Sequence, residues 1–286
     1  MIKLSRHVLN ERVGAFVSVN NGTVKGCVAD ISFFAKNGAG FAYENNAEIS
    51  NSVSLRCVRE KQSKGFYVRN SGSVSESGYI ASRKAHKTGH NGAEEYIFGN
   101  AELCIDADTP TEEICRKLEL DGVRQSAVLS GGSLFPDISA DMYAVSGEGD
   151  DELICIETAE DLKNMIEAVN SGDRNAAGAH YVLTNDINMK GARLAPIGIS
   201  ENCSFFGKFD GNGKTVSNFT IDCRGNEYGG FFGYTQNAEV ANLVIDCILK
   251  GNGGGTVGGM AGCVAGGVFA NCQVNVARYV LGRFLR

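Results

Sequence analysis

Several things are missing from these 286 residues, and each absence narrows the field. No Lys/Arg run occurs, and a net charge of -6 with a pI near 5.4 leaves no basic footprint for a phosphate backbone or an anionic lipid surface. Nucleic acid is therefore not an expected partner. No stretch approaches ~18 consecutive apolar residues, so no membrane-spanning helix is expected. The start, "MIKLSRHVLNERVG", has a basic beginning without an apolar h-region and does not read as a signal peptide. Tryptophan is absent and there are only 3 prolines.

Glycine is abundant instead: 37 of 286 residues, about 13%, against a usual ~7%. Glycine at this level without proline implies many tight backbone turns between short strands, and 43% hydrophobic residues is ample for a core. The ten cysteines, at positions 27, 57, 104, 115, 155, 203, 223, 247, 263 and 272, form no CxxC and no compact disulfide pattern. Most of them read as small buried hydrophobes.

Self-similarity organises the chain. Aligning "GAFVSVNNGTVKGC", "GFAYENNAEISNS" and "GFYVRNSGSVSES" sets Phe16, Phe41 and Phe66 at intervals of 25. Asn20, Asn45 and Asn70 keep the same interval, as do Gly22, Ala47 and Gly72, then Val24, Ile49 and Val74, then Cys27, Ser52 and Ser77. In the C-terminal half "VSNFTIDC" from Val216 and "VANLVIDC" from Val240 match at an offset of 24, and "FANCQVNV" from Phe269 follows 29 later. Alternation within these segments is that of strands with one buried face. The offsets place Phe219, Ile221 and Cys223 under Leu243, Ile245 and Cys247, which in turn lie under Cys272, Val274 and Val276.

A unit of ~25 residues cannot bury its own apolar face, but a stack of such units can, with one coil per strand spacing of ~4.8 Å. The expected fold is thus mainly β: a parallel β-solenoid (β-helix) with one or two short amphipathic helices. Asn and Gly supply the positive φ that its corners need, and stacked Asn side chains bond along the ladder.

"GGFFGYTQNAEVANLVID" and "GGMAGCVAGGVFANCQVNV", with further copies at 14–33, 38–57 and 65–80, resemble GLUG-motif repeats. Such repeats occur in long bacterial surface proteins and beside the catalytic domains of immunoglobulin A-specific metallopeptidases. "ETAEDLKNMIEAVNSGDRNAAGAHYVLTNDINMKGARLAPIG" followed by "FFGKFDGNGKTVSNFTI" is similar to the segment that opens such modules. The resemblance covers roughly two thirds of the chain and implies a cell-surface or secreted location. It implies a host or neighbouring surface protein, or a glycan, as partner. Ten apparently unpaired cysteines and the missing signal suit a reducing compartment, and a cytoplasmic location is the alternative.

Three regions follow: N-terminal coils over 1–103, a helix and Gly/Ser/Asp-rich linker over 104–153, and a second module over 154–286. In the second module Thr158 and Asp161 form a capping box, and Leu162, Met165, Ile166 and Val169 make the apolar stripe of a helix placed to cap the solenoid mouth. "DTPTEEICRKLEL" reads as a short helix with Pro110 in its first turn and Ile114 and Leu118 on one face. The "DGNGK" of 210–214 reads as a tight turn. "ARYVLGRFLR" departs from the repeat as an end cap, a vector remnant or a frameshifted tail, and a slice of a longer protein is expected.

No catalytic constellation emerges. His86 and His90 lie four apart, but Gly89 argues for a loop and no third ligand stands at a recognised spacing. HExxH is absent, so the chain lacks the motif of the peptidases that carry similar repeats. "DGNGK" is half of a calcium loop without the remaining oxygen ligands, no cysteine has an evident His partner, and residues 251–255 lack the lysine of a phosphate loop. No cofactor is expected, with calcium the one ion that has any claim.

Two readings follow: a non-catalytic scaffold or adhesion module, or a carbohydrate-binding or carbohydrate-active β-helix. For the second, Asp222 and Asp246 share an outward column on adjacent coils, with Asn275 in third place. Tyr43 and Tyr67, one step after Phe41 and Phe66, are the nearest approach to an aromatic row, though a buried aromatic ladder is the favoured explanation of them.

Overall fold

The structure, a computed structural model, describes residues 12–31, 38–54, 66–75, 77–81, 103–106, 128–130, 133–135, 142–145, 153–251 and 255–280. His86, His90, Pro110, Ile114 and Leu118 lie outside them. The chain winds into a parallel β-solenoid of about six turns, 56% strand and 10% helix. A coil contributes strands to three sheets in turn. In the coil of 256–280 these are Thr256–Gly258, the long strand Ala261–Ala270, and Gln273–Val280.

The corner between the second and third strands is one column of left-handed residues: Asn242 (φ 54°), Asn271 (50°), Gly26 (60°) and Asn51 (48°). Asn and Gly are the residues that reach this region at low cost, which is why they recur there. The next position is a column of small donors. Cys272 and Cys27 give their Sγ–H to the carbonyls of Ala270 and Lys25, as Ser52 and Ser77 give their hydroxyls to Ser50 and Ser75. Ser52 Oγ also accepts from the amide of Cys27, and Ser77 Oγ from that of Ser52.

Inside the N-terminal coils the 25-residue columns hold. Phe16, Phe41 and Phe66 are fully buried and stack face to face at 5.0 and 4.7 Å. Asn20 Nδ2 donates to Asn45 Oδ1 (2.7 Å), and Asn45 Nδ2 to Asn70 Oδ1 (2.8 Å). Val24, Ile49 and Val74 pair in register.

The opening helix α1 (Ala159–Asn170) forms as its pattern predicts. Thr158 and Asp161 cap it reciprocally, and Leu162, Met165, Ile166 and Val169 join the core. It packs on Ile187–Leu194, the end strand of its sheet, and so covers that end of the stack. Its last residue is pinned: Asn170 Nδ2 donates to Pro196 O, and Asn170 Oδ1 accepts from Gly198 N. A short α2 (Arg174–Gly178), capped by Asp173, follows. Lys214 N donates to Gly211 O at 2.7 Å, closing the turn expected at 210–214.

Chain order and stacking order differ. From the α1 end the stack climbs through the coils of 180–194, 208–222, 228–250 and 256–280. The next coil is then 12–31, followed by 38–54 and 66–81. Strand Leu103–Asp106 pairs with Gly78–Ala81 beyond them. The two repeat regions therefore share the same sheets, joined where the 12–31 coil sits on the 256–280 coil.

Candidate functional site: the outward columns

The C-terminal register differs from the one that the 24-residue offset suggests. Val216 pairs with Ile245, Phe219 with Cys247 and Ile221 with Leu249. Asn218, at φ 59°, accompanies a bulge between Ser217 and Phe219 that changes the register by one. Alternation of period two is satisfied at any even offset, so it could not choose among them. The upper step is as expected: Ile245 pairs with Val274 and Cys247 with Val276.

Asp222 and Asp246 are consequently in different columns. Asp222 lies beside Lys250, and Arg224 grips it through both carboxylate oxygens, which holds its carboxyl below the ordinary carboxylate range. Asp246 belongs to a polar column that runs Asn188, Ser217, Asp246, Asn275, Asp30. It reaches solvent, yet packing around it raises its carboxyl above the usual value. Two carboxylates in these settings do not make an acid/base pair. Among the described residues no group of three or more His, Cys, Asp or Glu is placed to hold a metal ion, and no helix is long and apolar enough to cross a membrane.

Tyr43 and Tyr67 are buried, at 8% and 7% exposure, and Tyr67 pairs with Ala42 rather than with Tyr43. They form no exposed row. The cysteine expectation holds for Cys27, Cys223, Cys247, Cys263 and Cys272, which are buried and in no disulfide, while Cys155 is exposed.

A different cluster gathers on the outer face of the long sheet. The column Tyr234, Cys263, Val19, Glu44, Arg69 crosses five coils. Strand Tyr228–Gly229 brings the Tyr228 ring to 4.9 Å from that of Tyr234, edge to face, and the Tyr228 hydroxyl donates to Glu201 Oε1 at 3.3 Å. Gly262 permits this closeness, since a Cβ there would strike the backbone of Gly229 and Gly233. Burial, with the negative fields of Glu201, Glu227 and Glu44, pushes the Cys263 thiol up to about 12. Burial first, then Glu227, also raises the Tyr228 phenol.

The cluster presents two half-exposed tyrosine rings beside carboxylates, a combination able to pack on a sugar ring and accept from its hydroxyls. Sequence reasoning passed over it because its members come from separate coils. The one local signal was the pair of tyrosines in "NEYGGFFGY". Set against known proteins, the chain matches no family model, no curated protein and no solved structure.

Proposed function

We propose that this chain is a non-catalytic repeat scaffold, an adhesion-type module of a bacterial surface or secreted protein of the GLUG-repeat kind. The observation that carries this reading is where the recurrent polar residues go. Asn20, Asn45, Asn70, Ser52 and Ser77 bond one coil to the next instead of converging on a point. A stack held in this way is a rigid carrier whose outer columns can vary without disturbing it. The partner is a host or neighbouring surface protein or glycan. Protease treatment of intact source cells tests the location: removal of the chain while cytosolic proteins survive supports it, and protection of the chain sinks it.

A second reading, a carbohydrate-binding face, is favoured by Tyr228 and Tyr234 beside Glu201. A glycan array is probed with the folded protein, with and without calcium, beside Tyr234→Ala and Asp246→Ala variants. Binding abolished by Tyr234→Ala favours the carbohydrate reading at this cluster. Binding that needs calcium and Asp246 moves the site to the polar column, and silence leaves a scaffold whose partner is a protein.

A further inference from the structure

The joint between the last coil and the first is built like every other contact in the stack. Parallel pairing closes it on all three faces, with Val13 on Val257, Val17 on Ala261, Val24 on Phe269 and Ala29 on Val274. The rings of Phe16 and Phe269 meet edge-on at 6.5 Å, and Cys27 and Cys272, both fully buried, lie in one column. Yet Cys27 and Phe269, which touch across it, are 242 positions apart. The covalent connection between the two halves runs through residues 82–152. Within it Leu103–Asp106 lies on the far coil and Tyr143 bonds Asn242 and sits under Lys25, and Leu153–Ile156 then opens the stack at the opposite end. Backbone register and a few side-chain columns define the joint, and none of these requires that the neighbouring coil belong to the same chain.

We propose that the joint also forms between molecules: residues 12–81 of one copy dock on the 256–280 coil of a second copy. The partner is a second copy of this chain, and the contact is an exchange of coils already seen within one molecule. Reciprocal exchange closes a dimer, whereas passing the coils on to a third copy gives a head-to-tail chain that does not close. Concentration decides between self-closure and exchange. For two parts held in one chain the competing effective concentration is on the order of millimolar. Self-closure wins in dilute solution, and exchange wins where copies fold crowded together. This inference does not depend on the proposed scaffold or carbohydrate role.

Thr23 and Val268 are register partners across the joint, and both are half-exposed. Thr23→Cys is placed in one copy and Val268→Cys in another, and the two full-length proteins are denatured together. They are refolded from about 1 μM to about 1 mM, mildly oxidised, separated by size and mapped by peptide mass spectrometry. Neither chain carries both added cysteines, so a linked peptide joining positions 23 and 268 forms only if coils have exchanged. The expected result is that peptide in the dimer fraction, with the fraction rising roughly tenfold per tenfold concentration while it is small. Unmodified chains, one nitrogen-15 labelled and one not, give a mixed-mass dimer in native mass spectrometry and keep the test readable if an added cysteine disturbs folding. A dimer fraction without the 23–268 link overturns the proposal, and so does a chain that stays monomeric at every concentration.

Discussion

Asn45 is bonded on both sides. Its Oδ1 accepts from Asn20, and its Nδ2 donates to Asn70 Oδ1 and to the carbonyls of Ala47 and Ser73. Asn45 is fully buried, so Asn45→Ala leaves a cavity and takes one of the two acceptors from Asn20 Nδ2, which keeps Glu48 O, while water takes over the bond at the exposed Asn70. A loss of about 2–3 kcal/mol in denaturant unfolding is expected. Asn46→Ala, one position along and solvent-exposed, removes bonds to Asn21 and Ser71 that water can replace, and the expected loss is under ~0.5 kcal/mol. Equal losses for the two variants would refute this account of the ladder. The small-donor column supports a companion prediction. Since Ser52 and Cys27 make the same bond to the carbonyl two residues back, Cys27→Ser is expected to keep the fold within about 1 kcal/mol. Cys27→Leu must displace Cys272 and Phe269 in a closed interior, and the expected cost is about 1–3 kcal/mol.

The helix that covers the α1 end of the stack depends on its cap. Thr158 and the amides of Glu157 and Thr158 hydrogen-bond the Asp161 carboxylate and lower its pKa. A depressed folded-state pKa gives stability that is full above the unfolded value of ~3.9 and is lost as pH falls through the folded one. Asp161→Asn should therefore melt earlier than the parent near pH 6, and the gap should close as pH falls below the ordinary carboxylate range. A gap of constant size down the pH range would show that the carboxylate's charge is not what holds the cap. This element was legible in the sequence because cap and stripe are local signals. The strand Thr215–Asp222 was not, since one bulge at Asn218 changes which residues meet and leaves the alternation intact on either side.

At the scale of the molecule, the coil architecture was readable from the 25-residue columns, because equivalent positions carry equivalent side chains. Stacking order was not readable. The 12–31 and 256–280 coils are far apart in sequence, and nothing local in either marks the other as its neighbour. The Tyr228 and Tyr234 cluster escaped notice for a related reason, since its parts are set beside one another only by the stack. Hydrogen exchange can probe the joint directly. Val28 N donates to Cys272 O, Asn271 N to Lys25 O, and Met260 N to Phe16 O, so each half protects amides of the other. Phe16→Ala, which empties a fully buried ring site at the joint, should speed exchange in Ala261–Ala270 and Gln273–Val280 severalfold while sparing His180–Leu183. Uniform acceleration along the chain would mean that the stack opens as a single unit.

The stacking order also decides where a passenger would ride. Arg12 and Val280 both belong to coils that meet in the middle of the stack, while the α1 coil and strand Leu103–Asp106 hold its two extremities. Anything fused upstream of Arg12 or downstream of Val280 leaves from the waist of the rod, like a flag fixed halfway up a mast. Chain added at Arg12 or Val280 thus adds mass at mid-height, and cargo reaches a tip through the turn after α1 or through the chain beyond Ala81.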